Sequence, residues 1–326
     1  MSIKPLLEGA DSVLIIGHQN ADPDAVASVI AFSELYKNVN PAGTSVLACT
    51  DVSKLSQQVI DTFAPEIEIL KEPDTEPDLV VLLDTNSREQ VNGVLMNYLS
   101  EPSKTLVVDH HEPNPAIDEL ASHVIQEPDS SSTCELLVGI FYEMEVEPSK
   151  MAANLLLAGL LFDTRRFFYT DKKTLLAAMD LIEAGANYEA CVSSLIIRPE
   201  RSERIARLKA AQRTKIHKID EWVLATSIIG AFEASSCRGL ISLGADVAIV
   251  AGKQAKDSVR LSSRSTKEFY NKTGVNLASD VMEPVGQIIG GKGGGHPNAA
   301  GANGTGHLKR ALNKSVELIK KAIHTD

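Results

Sequence analysis

Four short segments of the chain concentrate side chains that could do chemistry. GHQNADPDA carries His18, Asp22 and Asp24; LLDTN carries Asp84; VVDHHEPN carries Asp109, His110 and His111; LLFDTRRF carries Asp163. Carboxylates and imidazoles without a thiolate among them suit Mn2+ or Mg2+ rather than structural zinc. So many negative charges in one dry pocket repel one another unless cations neutralise them. Two divalent ions about 3.5–4 Å apart are what hydrolytic phosphoryl chemistry uses. Asp84, alone on its strand end, is the natural bridge between them. Each segment also has a plain structural account: an Asp-Pro turn caps a helix, and a strand-end Asp accepts a hydrogen bond. What argues for a site is that all four occur together.

The elements that must position these residues alternate. Strand candidates are Val13–Ile16, Ser45–Thr50, Ile67–Leu70, Leu79–Leu83 and Thr105–Val108, mostly apolar on both faces. Separated by helical stretches, such runs indicate an α/β fold with a parallel sheet flanked by helices. The first helix is expected from Asp24, and three more over Ser132–Met144, Ser149–Leu161 and Lys172–Ala184. Ligands bind outside the carboxyl ends of the strands in such sheets, so the first three ligand segments should converge there. Residues 1–187 form this domain. The charged run 188–218 reads as a linking helix, and 219–326 as a smaller α/β domain.

Composition bounds the rest. The chain has 326 residues, enough for two domains, 23% charged residues and a net charge of −11, which disfavours tracking along a long nucleic acid. Aromatics at 5% leave little for a large stacking platform. No apolar run approaches a membrane span and no leader is evident, so a cytoplasmic location is expected. Cys49, Cys134, Cys191 and Cys237 are far apart, and no CxxC pair occurs, which favours buried, reduced thiols.

Near the end stands GGKGGGH. Gly286 to Lys292 has the P-loop spacing, but Gly293 replaces the Ser or Thr that would hold Mg2+, and the preceding stretch reads as helix, so a nucleotide triphosphatase is rejected. A backbone cradle is the more physical reading: Gly294 and Gly295 expose N–H groups to a phosphate or nucleotide edge, and His296 adds a side-chain contact.

The four ligand segments resemble motifs I to IV of the DHH phosphoesterase superfamily, whose triplet is seen here as Asp109-His110-His111. GGKGGGHPNAAGA resembles the GGGH signature of the DHH-associated C-terminal domain. The likeness runs from Met1 to about Gly306, in the family's order. It implies two divalent ions, Mn2+ ahead of Mg2+, with the site in a cleft between the two domains. By position, one ion would take His18, Asp22 and Asp84, the other Asp24, Asp84, His110 and Asp163. A water acidified by both would be the nucleophile. His111 would contact the scissile phosphate, Asp109 would orient a histidine, and Asp84, Asp109, His110 and His111 would form the catalytic group. Arg264 resembles the family's substrate-anchoring arginine, beside Gly294, Gly295 and His296. Arg165 and Arg166 are further candidates for a phosphate, with packing and solvation as the alternative.

Within the superfamily, the SRKKQ-like signature of family II pyrophosphatases is absent, RecJ-type exonucleases are longer, and the membrane-bound cyclic-dinucleotide enzymes carry preceding segments not seen here. What remains resembles the compact nanoRNase branch. It removes mononucleotides from short oligonucleotides and often dephosphorylates 3′-phosphoadenosine 5′-phosphate (pAp). The partners implied are short single-stranded RNA or DNA or nucleotides, with no membrane, and a homodimer is left open. The alternatives are a RecJ-like exonuclease, a linear or cyclic di-adenylate phosphodiesterase, and a degenerate nucleotide-binding module; a degenerate module would usually lack a metal ligand.

Overall fold

A computed structural model describes residues 3–255 and 258–324 of the chain. It divides into two compact units, 1–197 and 198–326.

The first unit is built on β1 (Ser12–Gly17), β2 (Thr44–Ala48), β3 (Leu79–Leu83), β4 (Thr105–Asp109) and β5 (His123–Gln126), in the order β2-β1-β3-β4-β5. Every pairing is parallel. Alternate side chains of one strand enter two different cores. Val13 and Ile15 join Val81, Leu83, Leu106 and Val108 on one face, while Leu14 and Ile16 join Val80, Leu82 and Val107 on the other. That is why these strands are apolar throughout rather than alternating. The first face is covered by the helices Pro23–Val39, Thr133–Glu143 and Lys150–Asp163. Over the second lie shorter pieces, with Leu95 and Leu99 from the Gly93–Ser100 turns and Leu120 from the Ile117–Leu120 turn.

Two expectations are corrected in this unit. Ile67–Leu70 is not a strand; only Leu70 bridges, to Ala48 at the outer side of β2. The fifth strand is instead His123–Gln126 beyond β4, four half-exposed residues whose mixed pattern hides them in the sequence. Nor is 188–218 one linking helix. Tyr188–Ser194 is a helix of the first unit, whereas Arg201–Gln212 and strand β6 (Lys215–Ile219) belong to the second. Ala210 is buried against Ala225, Cys237 and Leu240, which makes the Arg201–Gln212 helix part of that unit's core.

The second unit adds β7 (Trp222–Ile229), β8 (Val247–Ala255), β9 (Ser258–Ser265), β10 (Lys292–His296) and β11 (Ala299–Gly304), in the order β10-β11-β9-β8-β7-β6. Only β7 and β8 pair in parallel. The glycine cluster is thus an edge strand, not a loop. Gly293 is needed there for close approach, because a Cβ on it would lie 1.7 Å from the Met282 carbonyl oxygen. Around Gly294 none of the described residues lies within 4 Å of an added Cβ. We therefore expect Gly293→Ala to destabilise the unit by at least about 3 kcal/mol, the upper end for overpacking, and Gly294→Ala to leave thermal unfolding unchanged. Equal melting temperatures for the two variants would contradict this packing.

All four cysteines are buried and free. No helix among the described residues is long and apolar enough to cross a membrane.

Candidate active site

Strands β1, β3 and β4 are neighbours, so the residues that follow or end them meet at one edge of the sheet. His18 follows β1, Asp84 follows β3 and Asp109 ends β4. The order reverses between β1 and β3, the switch point where open α/β sheets form their binding crevice. Asp22 caps the Pro23–Val39 helix, its Oδ1 accepting from the N–H groups of Asp24 and Ala25 at 3.0 and 3.1 Å. The plain account of the Asp-Pro-Asp turn thus holds together with the functional one. Asp163 arrives on the last residue of the Lys150–Asp163 helix.

The side chains form three overlapping groups, each with ligand atoms within 4.8 Å of one another: His18, Asp22 and Asp84; Asp24, His110 and Asp163; and Asp84, His110 and His111. His18 Nε2 lies 3.8 Å from Asp22 Oδ1 and 3.5 Å from Asp84 Oδ2. The other oxygen of Asp84 lies 3.5 Å from His110 Nε2, which is 3.3 Å from Asp163 Oδ2. Asp84 therefore faces one group with each oxygen. It is buried, with φ of 59°, a left-handed conformation that Asp tolerates better than most residues.

Neighbours orient these groups. Asp24 is fully buried, and its oxygens accept from the N–H groups of Thr133 and Cys134 at 2.8 and 3.0 Å. Those amides open the Thr133–Glu143 helix, whose N-terminus favours an anion. The Thr133 hydroxyl donates to Asp84 Oδ1 at 3.0 Å. Asp109 Oδ1 lies 2.8 Å from His111 Nδ1 and its Oδ2 accepts from the His111 N–H, which fixes that half-exposed ring. Asn86 donates to the Glu112 carbonyl and accepts, through its own carbonyl, from Asn114, tying the LLDTN and DHHEPN loops together. Gly159 lets its helix approach closely: a Cβ there would fall 2.4 Å from Cys134 Sγ and 3.0 Å from Asp24 Oδ1. The backbone partners of Asp24, the Asn86–Asn114 tie and the role of Gly159 were not foreseen. The signal for the first was present in Ser132, a helix cap at the right place.

Electrostatics tests whether a cation fits. His110 Nε2 is buried without a hydrogen-bond partner among the described residues, while its Nδ1 sits 3.3 Å from the Ser130 carbonyl oxygen. With Nδ1–H donating to that carbonyl, Nε2 turns a lone pair toward two carboxylates. Such a set of lone pairs is completed by a divalent cation or by protons. For His18, burial lowers the pKa, but the carboxylates of Asp22 and Asp84 outweigh it and raise it to about 11. For His110, burial opposes and Asp163 and Asp84 raise it to about 9. Burial also raises Asp163, and burial with nearby Asp84 and Asp163 raises Asp24 well above the usual carboxylate range. Without a cation, the cluster holds extra protons.

The sign of the pH dependence follows. The raised histidines stabilise the cation-free fold below their ordinary value of 6.5, and this is lost as pH climbs through about 9 and then about 11. A cation must displace these protons, so Mn2+ should bind more tightly as pH rises from 6.5 towards 9, releasing about one to two protons. Calorimetry in buffers of different ionisation heat measures this; proton uptake would contradict it.

The remaining candidates divide. Arg165 lies over the Tyr169 ring at 5.2 Å and Arg166 donates to the Leu195 carbonyl at 3.2 Å, and both are exposed. In the second unit a cavity of about 430 Å3 is lined by Arg260, Ser262, Arg264, Lys292, Gly294, Gly301 and Asn303, among others. Register places Arg264, Ala299 and His296 side by side, and Gly294 beside Gly301 and Ser262. The half-buried guanidinium of Arg264 has no hydrogen bond or ion pair among the described residues. Gly295 is offset by one residue from the Gly294 face; its φ of 141° and the 2.5 Å from an added Cβ to the Ala299 oxygen account for the glycine structurally.

A sequence model of the DHH family N-terminal domain matches residues 12–160, and one of the DHHA1 domain matches 238–325. This chain belongs to the DHH phosphoesterase superfamily. An uncharacterized protein of Methanocaldococcus jannaschii is 32% identical, over 95% of this chain and 92% of its own length. A Streptococcus mutans protein named "probable bifunctional oligoribonuclease and PAP phosphatase NrnA" is 26% identical, over 91% of each chain. Other curated relatives are longer, and this chain spans 34% of them. Among solved structures, an exopolyphosphatase-related protein of Bacteroides fragilis superposes with a TM-score of 0.61 at 17% identity, covering 99% of this chain and 94% of that one. That likeness shows a shared fold. The family and the ligand clusters together support a hydrolase of phosphoesters that uses divalent metal.

Proposed function

We propose that this DHH phosphoesterase hydrolyses short oligonucleotides to 5′-mononucleotides, and also pAp, with two Mn2+ ions. The observation that carries the reading is Asp84, which turns one oxygen toward His18 and the other toward His110. His18, Asp22 and Asp84 would hold one ion, and Asp24, Asp84, His110 and Asp163 the other. Bound there, two divalent cations supply charge neutralisation and a water acidic enough to attack phosphorus at neutral pH. Asp109 sets the ring of His111, whose Nδ1 it engages, leaving Nε2 free for a phosphate oxygen. Arg264, Gly294, Gly295 and His296 anchor the substrate from the second unit. The NrnA relative supports this substrate class, and the net charge of −11 favours a short substrate over a long strand. Incubation with Mn2+ and end-labelled oligoribonucleotides, beside pAp and pyrophosphate, tests it. Mononucleotide release from dinucleotides and phosphate release from pAp are expected; turnover of pyrophosphate alone would contradict it.

A further inference from the structure

Strand pairing in the second unit lays out two cationic ends on one face of the sheet. Along β9, Arg260, Ser262 and Arg264 alternate with Leu261 and Ser263, so the first three share a face. The opposite face is accounted for, with Leu261 and Ala302 in the core. Arg260 pairs with Asn303 of β11, which pairs with Lys292 of β10, and directly paired residues also share a face. One row across the sheet is therefore Arg260, Asn303 and Lys292. Four residues further along β9, about 14 Å at 3.4 Å each, the other row carries Arg264, Ala299 and His296. Between the rows Ser262, Gly301 and Gly294 make a floor of small residues.

The cavity of about 430 Å3 over this face has Arg260, Arg264 and Lys292 in its lining and no carboxylate among the described residues. In a chain of net charge −11, that is a local reversal of sign. Exposed Lys272 and Lys314 of the same unit pair with Glu268 and Glu317. By contrast, the side chains of Arg260, Asn303 and Lys292 make no hydrogen bond or ion pair among the described residues. A guanidinium, an ammonium and an amide side by side are donors suited to phosphate oxygens. The separation of the two rows exceeds what one phosphate group spans, so each row serves its own anion. A cavity of this volume is of the size that takes a small molecule, and its floor leaves room for the sugar and base between the two anions.

We infer that Arg260, Asn303 and Lys292 form a second phosphate subsite, so that the cavity takes a nucleotide carrying a phosphate at each end, one on Arg264 and one on this row. This assignment rests on the phosphoesterase reading for its substrate class. The same chemistry is offered by pAp and by a dinucleotide with a 5′-phosphate. Calorimetry on the full chain with metal chelated measures binding without turnover, using adenosine 5′-monophosphate (AMP), pAp, and a dinucleotide with and without its 5′-phosphate. The second phosphate should tighten binding about tenfold, from AMP to pAp and between the two dinucleotides, the low end for hydrogen bonds to a charged group because this row is exposed. Arg260→Gln and Lys292→Gln should each cut the gain to about threefold, and the double variant should abolish it. AMP binding and the melting temperature should stay unchanged in all three, whereas Arg264→Ala should weaken every ligand. A gain for pAp alone supports a subsite for the free bisphosphate, and a gain in both pairs supports one for either source. Because no turnover is needed, the gain would stand even if the hydrolysis assay failed. Dinucleotides that are cleaved but bind no better with a 5′-phosphate, together with equal binding of AMP and pAp, would remove the subsite alone. A gain that persists in the double variant, or AMP binding lost along with it, would also overturn the proposal.

Discussion

Asp84→Asn should lower turnover by about a thousandfold or more and strip the protein of bound metal, with the fold intact. Several kcal/mol of charge stabilisation goes with the cations, which sets the size of the loss. Asparagine keeps the shape, tolerates the φ of 59° and can still accept from the Thr133 hydroxyl. It removes one of the negative charges that face His18 and His110. Without metal, the variant is relieved of like-charge contact with Asp24 and Asp163 but deprives protonated His18 and His110 of a counter-charge. Its melting temperature should therefore depend less on pH above 6.5 than that of the wild type. Asp84→Ala should be equally inactive but also strained at this backbone position. Metal analysis, thermal unfolding and initial rates check the three parts separately. An Asn variant with wild-type metal content and rate would remove Asp84 from the centre of the chemistry.

Arg264→Ala should raise KM for a dinucleotide by roughly 10- to 100-fold, the worth of a charge-assisted hydrogen bond to phosphate. Its guanidinium has no hydrogen-bond or ion-pair partner among the described residues and lines the cavity beside Gly294. Metal content should be unchanged, since none of the three ligand groups contains a residue of the second unit. Lys should recover only part of the loss, because an ammonium cannot make the forked contact of a guanidinium. His296→Ala should act in the same direction and more weakly. Unchanged KM in both variants would make the glycine-rich strand a purely structural edge.

Much of the site was legible because chemistry and folding pull residues in opposite directions at its positions. Apolar runs such as LVVLL announce a buried strand, and a carboxylate immediately after one has no place in a core, so Asp84 stood out. Asp163 did so for the same reason at the end of an apolar helix. What holds Asp24 in place was legible only in part: Ser132 marks the start of a helix with free N–H groups, but nothing local shows that those of Thr133 and Cys134 meet a carboxylate 109 and 110 residues away. Strand β5 escaped notice because an edge strand of four residues lacks a periodic pattern. Ile67–Leu70 misled in the opposite sense, having strand-like residues but a single bridge. The glycine cluster reads as a loop by propensity; pairing with Ala299–Gly304 and close packing on Met282 make it a strand.

Substrate length in the presence of Mn2+ tests the central claim most directly. Equal molar amounts of an end-labelled dinucleotide and a single strand of about 24 units are followed in parallel, with a metal-stripped control and a salt series. A site that engages few phosphates on an otherwise acidic protein should cleave the dinucleotide faster per molecule, release 5′-mononucleotides, respond only modestly to salt and fall silent without metal. Faster degradation of the long strand with a steep salt dependence, or full activity after thorough removal of metal, would contradict the account.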